Sequence, residues 1–298
     1  RGYAYLRIAE GCSRKCRYCT IPSIRGELRS SDPVELEQEA VSLVSRGVQE
    51  LVLVAQDLTS YGLDHGQKNG LVILLERLRR IEGLRWIRLM YLHPQGIPKS
   101  LSRVVNESES ILPYLDIPFQ HVSETVLRAM GRPWKGDRIR RLVDRLRNEI
   151  PGLVLRTTLM VGFPGEGEQE FRELRDFLET YRIEHVGVFA YSREEGTRAE
   201  RLGDPVPTTV KEARAQELRL IQARYTEKRN RARIGTAEEC IIEGLSPETD
   251  LLLQGRTWDQ APEVDGVLYV TGGTAAPGQI TNVSLTGAHD HDLFGEIV

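Results

Sequence analysis

A chain of 298 residues with 40 Lys+Arg, 43 Asp+Glu and 40% hydrophobic residues can build a large core, which excludes a disordered chain, a collagen-like repeat and a bare coiled coil. No run reaches the roughly 18 uncharged apolar residues of a membrane helix and the start carries no hydrophobic signal region, so a cytoplasmic chain without membrane association is expected. The net charge of −3 is unevenly divided: residues 1–231 hold 38 basic and 32 acidic groups, whereas residues 232–298 hold 2 and 11.

Short β-branched or apolar runs at 3–9, 50–55, 86–91, 114–117, 153–161 and 185–191 predict six strands. Between them, apolar residues at helical spacing predict helices. The first starts at a Ser31 or Asp32 cap with Pro33 in its first turn and runs to Gly47, and others cover 71–82, 136–149 and 168–181. Strands this apolar are covered on both faces, so six strand-then-helix units imply a parallel sheet, either doubly wound or an incomplete version of the eight-unit barrel. In both, ligands sit in the loops after the C-terminal ends of the strands. A long charged helix over 208–233 closes this part, and five short strands follow at 239–243, 251–256, 266–270, 279–286 and 293–298, predicting a small antiparallel barrel or sandwich. Two domains are expected, 1–232 and 233–298. The absence of a first methionine predicts that the sequence is part of a longer chain.

Three of the four cysteines, Cys12, Cys16 and Cys19, fall in the loop after the first strand, and Cys240 stands alone. A closed structural zinc site wants four ligands, usually in two separated pairs, and no histidine lies in this loop. Three thiolates suit an iron–sulfur cluster with one iron open to a non-protein ligand, with zinc and reduced core thiols as the alternatives. Arg14, Lys15 and Arg17 flank the thiols and are expected to favour their ionised forms. Gly162-Phe-Pro-Gly-Glu-Gly167 superficially suggests a phosphate loop, but it has no Gly-Lys-Ser/Thr and its glycines do not fit the dinucleotide fingerprint.

The Cys-x3-Cys-x-Tyr-Cys arrangement resembles the signature of radical S-adenosylmethionine (SAM) enzymes. Ile21-Pro-Ser-Ile-Arg-Gly26, Val54-Ala-Gln-Asp57 with Ser60-Tyr-Gly62, Tyr114-Leu-Asp-Ile-Pro-Phe-Gln-His121 and Val161-Gly-Phe-Pro-Gly-Glu166 are similar to the methylthiotransferases of that superfamily. The resemblance implies an α/β fold: a partial (βα)6 TIM-like barrel followed by a small antiparallel β-barrel, the TRAM domain. It implies a 4Fe-4S cluster on Cys12, Cys16 and Cys19 whose open iron takes SAM. It makes Tyr18, Gln56, Arg156, Gly162 and Phe189 candidate SAM contacts, with core packing as the alternative for Tyr18 and Phe189 and a buried ion pair for Arg156. Cys240, His93 and His121 are expected to be structural.

Within that family, the Leu115-Asp-Ile-Pro-Phe-Gln-His121 and Ala261-Pro-Glu-Val-Asp-Gly266 wording resembles the branch that modifies an aspartate of ribosomal protein S-twelve rather than the branch that modifies tRNA adenosine. The acidic C-terminal domain votes the same way, because a module gripping tRNA would carry Lys and Arg against the phosphates. A flavodoxin or ferredoxin as electron donor and a monomeric state are further expectations. Family members hold a second, auxiliary cluster in an N-terminal domain that this sequence does not contain, so this chain is expected to bind and cleave SAM without completing methylthiolation.

Overall fold

The computed structural model describes residues 2–132, 134 and 136–298. Six parallel strands, β1 (Tyr3–Arg7), β2 (Glu50–Val54), β3 (Trp86–Leu89), β4 (Ile111–Asp116), β5 (Val154–Val161) and β6 (His185–Ala190), pair in chain order. A doubly wound sheet reverses its order at a switch point, so this unreversed order selects the incomplete barrel. Leu51, Leu53, Leu89, Leu155 and Leu159 face the helices, and the alternate positions Tyr3, Val52, Trp86, Tyr114 and Val154 pack on the other face.

The main helices are α1 (Pro33–Ser45), α2 (Gly70–Leu78), α3 (Leu101–Asn106), α4 (Glu124–Ala129), α5 (Gly136–Glu149), α6 (Glu168–Tyr181) and α7 (Thr208–Ala232). Asp32 caps α1, its carboxylate accepting from the backbone N–H groups of Val34 at 2.8 Å and Glu35 at 3.3 Å. The sequence reading omits α3 and α4, whose six residues are too short to display a helical period. It also starts β4 three residues late, because Pro113 argues against a ladder. The β3–β4 register shifts between Ile87 and Leu89, which is where the chain accommodates the proline.

Five strands, β7 (Ala237–Ser246), β8 (Thr249–Thr257), β9 (Leu268–Gly272), β10 (Ile280–His289) and β11 (Asp292–Ile297), close a second barrel in the order β8-β9-β11-β10-β7. The β9–β11 pairing is parallel, where an all-antiparallel barrel was expected, because β10 crosses to pair with β7 before returning to β11. Cys240 is buried among Ile242, Leu268, Val270 and Leu285, and burial, with Glu239 nearby, pushes its thiol up to about 12.

This barrel plugs the N-terminal end of the parallel sheet. Ile241, Ala261 and Trp258 pack on Tyr3, Val52, Trp86 and Tyr114. Arg256 Nη2 donates to Glu50 at 2.7 Å, Tyr114 OH to Asp265 at 2.7 Å, and Arg85 Nη2 to Glu239 at 2.7 Å. A cleft of about 460 Å³ lies alongside this junction, between β6, α7 and the small barrel. Among the described residues, no helix is long and apolar enough to cross a membrane.

Candidate functional site

The chain leaves β1 and turns at Gly11, whose φ of +75° and contact with the Glu27 carbonyl leave no room for a side chain. The next ten residues are pinned from outside: Cys12 N–H donates to Gly26 O at 3.1 Å, Arg17 N–H to Met130 O at 2.9 Å, and Ala199 N–H to Arg17 O at 2.8 Å. This pinning brings Cys12, Cys16 and Cys19 to one cavity of about 180 Å³ beyond the C-terminal end of β1. The three thiols are half-buried and free. Among the described residues, no group of three His, Cys, Asp or Glu side chains stands at metal-binding spacing, so the thiols share the cavity without converging on a point.

Tyr18 and Gln56 line the same cavity, as do Asp57, His93, Gln120 and Arg132. Tyr18 lies edge-on to Phe163 at 6.2 Å. Among the described residues, the carbonyl oxygens of Gln56 and Gln120 are buried without a hydrogen-bond partner, which makes them ready acceptors for an ammonium-bearing ligand. Gln120 is also held at φ +69°, an uncommon conformation for a non-glycine residue.

Burial pushes the Cys12 and Cys19 thiols up, and repulsion from the neighbouring thiols adds to it. Two of the loop cations expected to offset this, Arg14 and Arg17, have partners elsewhere. Arg14 Nε donates to Asp57 at 2.8 Å and its Nη2 to Thr59 at 3.3 Å, and Arg17 reaches the Ala129 carbonyl. Burial pushes the Asp57 carboxyl up, but Arg14 and the Ser60 and Thr59 hydroxyls outweigh it and hold the group ionised below its usual range. Burial pulls His93 down to about 3, with the Arg132 and Arg14 guanidiniums pulling the same way, so it is neutral at physiological pH. The guanidinium at the thiols is that of Arg132, whose Nε donates to Cys16 Sγ at 3.4 Å. It stands 116 residues from Cys16, and no local spacing in the sequence could have found it.

Three further sequence candidates lie outside the cavity lining. Arg156 pairs with Asp116 at 3.2 Å and Asp265 at 3.4 Å, at the junction with the small barrel. Gly162, at φ +76°, leaves space that the stem of Lys211 occupies, and its N–H donates to Glu166 at 2.9 Å. The turn it begins is a structural clasp: Glu166 also takes Arg214 at 2.7 Å and sits 3.3 Å from buried His121. Phe189 is 57% exposed on β6, opposite Met160 in register.

Three thiols, a buried cation and two unpartnered amide oxygens form a donor set that fits a thiolate-held iron–sulfur cluster beside an amine-bearing ligand. The comparisons with known proteins agree. The family model described as the radical SAM superfamily matches residues 6–178, and that described as the TRAM domain matches 234–298. The chain is 49% identical over 295 residues to the ribosomal protein uS12 methylthiotransferase RimO of Pelobacter propionicus, covering 99% of this chain and 66% of that protein. It is 46% identical to the protein of the same description from Aquifex aeolicus, covering 99% and 68%. The chain thus spans about two thirds of the length of these curated relatives. Among solved structures, the Escherichia coli coproporphyrinogen III oxidase HemN, described as a radical SAM enzyme, aligns with a TM-score of 0.57 at 16% identity, over 75% of this chain and 53% of that one. The radical SAM methyltransferase TsrM of Kitasatospora setae aligns at 0.53 and 17% identity, over 64% and 37%. These two likenesses are of fold.

Proposed function

Since the chain belongs to the radical SAM superfamily, we propose that it is the SAM-cleaving portion of an enzyme that adds a methylthio group to the β-carbon of an aspartate in ribosomal protein uS12. The observation that carries this reading is the gathering of Cys12, Cys16 and Cys19 at one cavity beyond β1. The substrate rests on the relatives described as uS12 methylthiotransferases, which match 99% of the chain. In this reading the three cysteines hold a 4Fe-4S cluster. When bound, the cluster and SAM supply one-electron cleavage of the sulfonium and a 5′-deoxyadenosyl radical able to take hydrogen from the aspartate β-carbon.

The chain's own residues prepare that chemistry. Gln56 and Gln120 accept from the SAM amine, the Tyr18 ring walls the pocket and excludes water, and Phe189 offers an exposed face at the β6 end. Neutral His93 and the Arg14–Asp57 pair hold the loop after β2 in place without exchanging protons. Residues 1–232 form the catalytic domain and 233–298 the TRAM barrel. A flavodoxin or ferredoxin delivers the electron to a monomer. The auxiliary cluster belongs to the part of the relatives' length that this chain does not span.

Anaerobic reconstitution followed by iron and sulfide analysis tests the cysteine assignment. Wild-type protein is expected to take up four irons' worth of brown chromophore and to release 5′-deoxyadenosine from SAM under dithionite. Replacing Cys12, Cys16 and Cys19 by Ala should abolish both, and a colourless zinc-loaded wild type would overturn the reading. For the substrate, the full-length protein containing this chain should add a methylthio group to uS12 by mass spectrometry. A gain on tRNA adenosine alone would transfer the enzyme to the other branch.

A further inference from the structure

We propose that Arg132 is a positioning residue that supplies the fixed positive charge for a thiolate-held cluster at Cys16, setting how readily that cluster accepts an electron. This inference rests on the cluster assignment above.

Arg132 is only 9% exposed. Its Nη1 donates to the Pro118 carbonyl at 2.6 Å, its Nε to Cys16 Sγ at 3.4 Å, and its guanidinium carbon lies 6.0 Å from the centre of the Tyr18 ring. Its placement is built rather than incidental. Gly131, at φ +72° and pressed against the Lys15 carbonyl and Arg17, turns the chain, and the Arg132 N–H then donates to Leu127 O at 2.8 Å. The turn therefore touches the cysteine loop on the backbone side and presents the guanidinium to it on the other.

Charge makes the arrangement unusual. Arginine is rarely buried unless paired, since taking a charge out of water costs several kcal/mol. The other deeply buried arginines of this protein obey that rule: Arg88 has Glu50, and Arg256 has Glu50 and Glu243. Among the described residues, Arg132 has no carboxylate within ion-pair distance. Asp57, the acid nearest the cavity, is taken by Arg14. The anion that completes Arg132 is therefore brought to the site, and the sulfur it already faces is a proposed cluster ligand. An N–H···S bond and a nearby positive charge favour the more negative state of the cluster, so Arg132 raises its reduction potential. On reduction one electron enters from the external donor, and Arg132 keeps its proton throughout.

The test is an EPR-monitored dithionite titration of anaerobically reconstituted wild type, Arg132→Met and Arg132→Lys, without SAM or substrate. Arg132→Met is expected to retain its fold by circular dichroism and to accept an electron about tenfold less favourably, a fall of about 59 mV for one electron. Arg132→Lys, which keeps the charge, should recover most of that shift. If Arg132→Met fails to hold iron, iron retained by Arg132→Lys still supports the charge role. A midpoint unchanged in Arg132→Met, or a lysine variant that behaves like the methionine one in potential or in iron loss, overturns the inference. Wild-type protein that takes up no iron removes the cluster assignment itself, whereas iron-loaded wild type with an insensitive midpoint removes only the role of Arg132.

Discussion

Glu50 shows how far one side chain can bind two parts of the molecule. Its carboxylate is fully buried between Arg88, 2.6 Å away on β3, and Arg256, 2.7 Å away in the small barrel. Burial pushes its pKa up, but the two guanidiniums outweigh that and hold it below its usual 4.5. Glu50→Gln would leave two buried cations facing a neutral amide and should cost about 3–5 kcal/mol in chemical denaturation at pH 7. Because the folded-state pKa is the lower one, this stabilisation is present above pH 4.5 and is lost as pH falls through the folded value. The stability–pH curve of Glu50→Gln should therefore be flatter than wild type on the acid side. None of this is legible in a sequence, where the charges lie 38 and 206 residues apart. Cys12, Cys16 and Cys19 are legible because their partners are one another within eight residues. Arg14 shows the opposite case: adjacency along the chain is not adjacency of charge, and its guanidinium pairs with Asp57.

Period carried most of the information about the elements. Strands covered on one face by helices and, toward their N-terminal ends, on the other by the small barrel read as apolar runs, and helices of thirteen or fourteen residues show their buried stripe. Helices shorter than two turns and a strand interrupted by Pro113 display no such period. In the Gly162-Phe-Pro-Gly-Glu166 turn, Gly162 packs closely against the Lys211 stem. Gly162→Ala would force a left-handed backbone on alanine and drive its methyl into the Lys211 stem, for an expected loss of about 1–3 kcal/mol measured by thermal unfolding. Glu166→Gln keeps the shape of the clasp but opposes the Arg214 cation with a neutral group, and a smaller loss, about 1–2 kcal/mol, is expected in the same measurement.

At the scale of the whole molecule, the acidic bias of residues 232–298 takes a different meaning. Asp259 is buried against Arg229 of α7 and Arg233, Asp265 meets Arg156 and Tyr114, and Glu239 meets Arg85. Three of the eleven acids of this domain are therefore matched to cations of the domain before it, and the choice of uS12 over tRNA rests first on the relatives. Asp259→Ala would leave Arg229 and Arg233 without their shared partner and is expected to loosen the two domains. Calorimetry should then show two transitions where wild type shows one.

The plugged end of the sheet also has a temporal side. Tyr3 bonds to Glu263, 260 residues later, and Glu50 waits for Arg256. During synthesis at about 5–20 residues per second, the parallel strands emerge long before the barrel that seals their floor, so Glu50 and Arg88 spend that interval hydrated. Contacts this distant in sequence slow the final step of folding, because the chain between them must be ordered before they reward it.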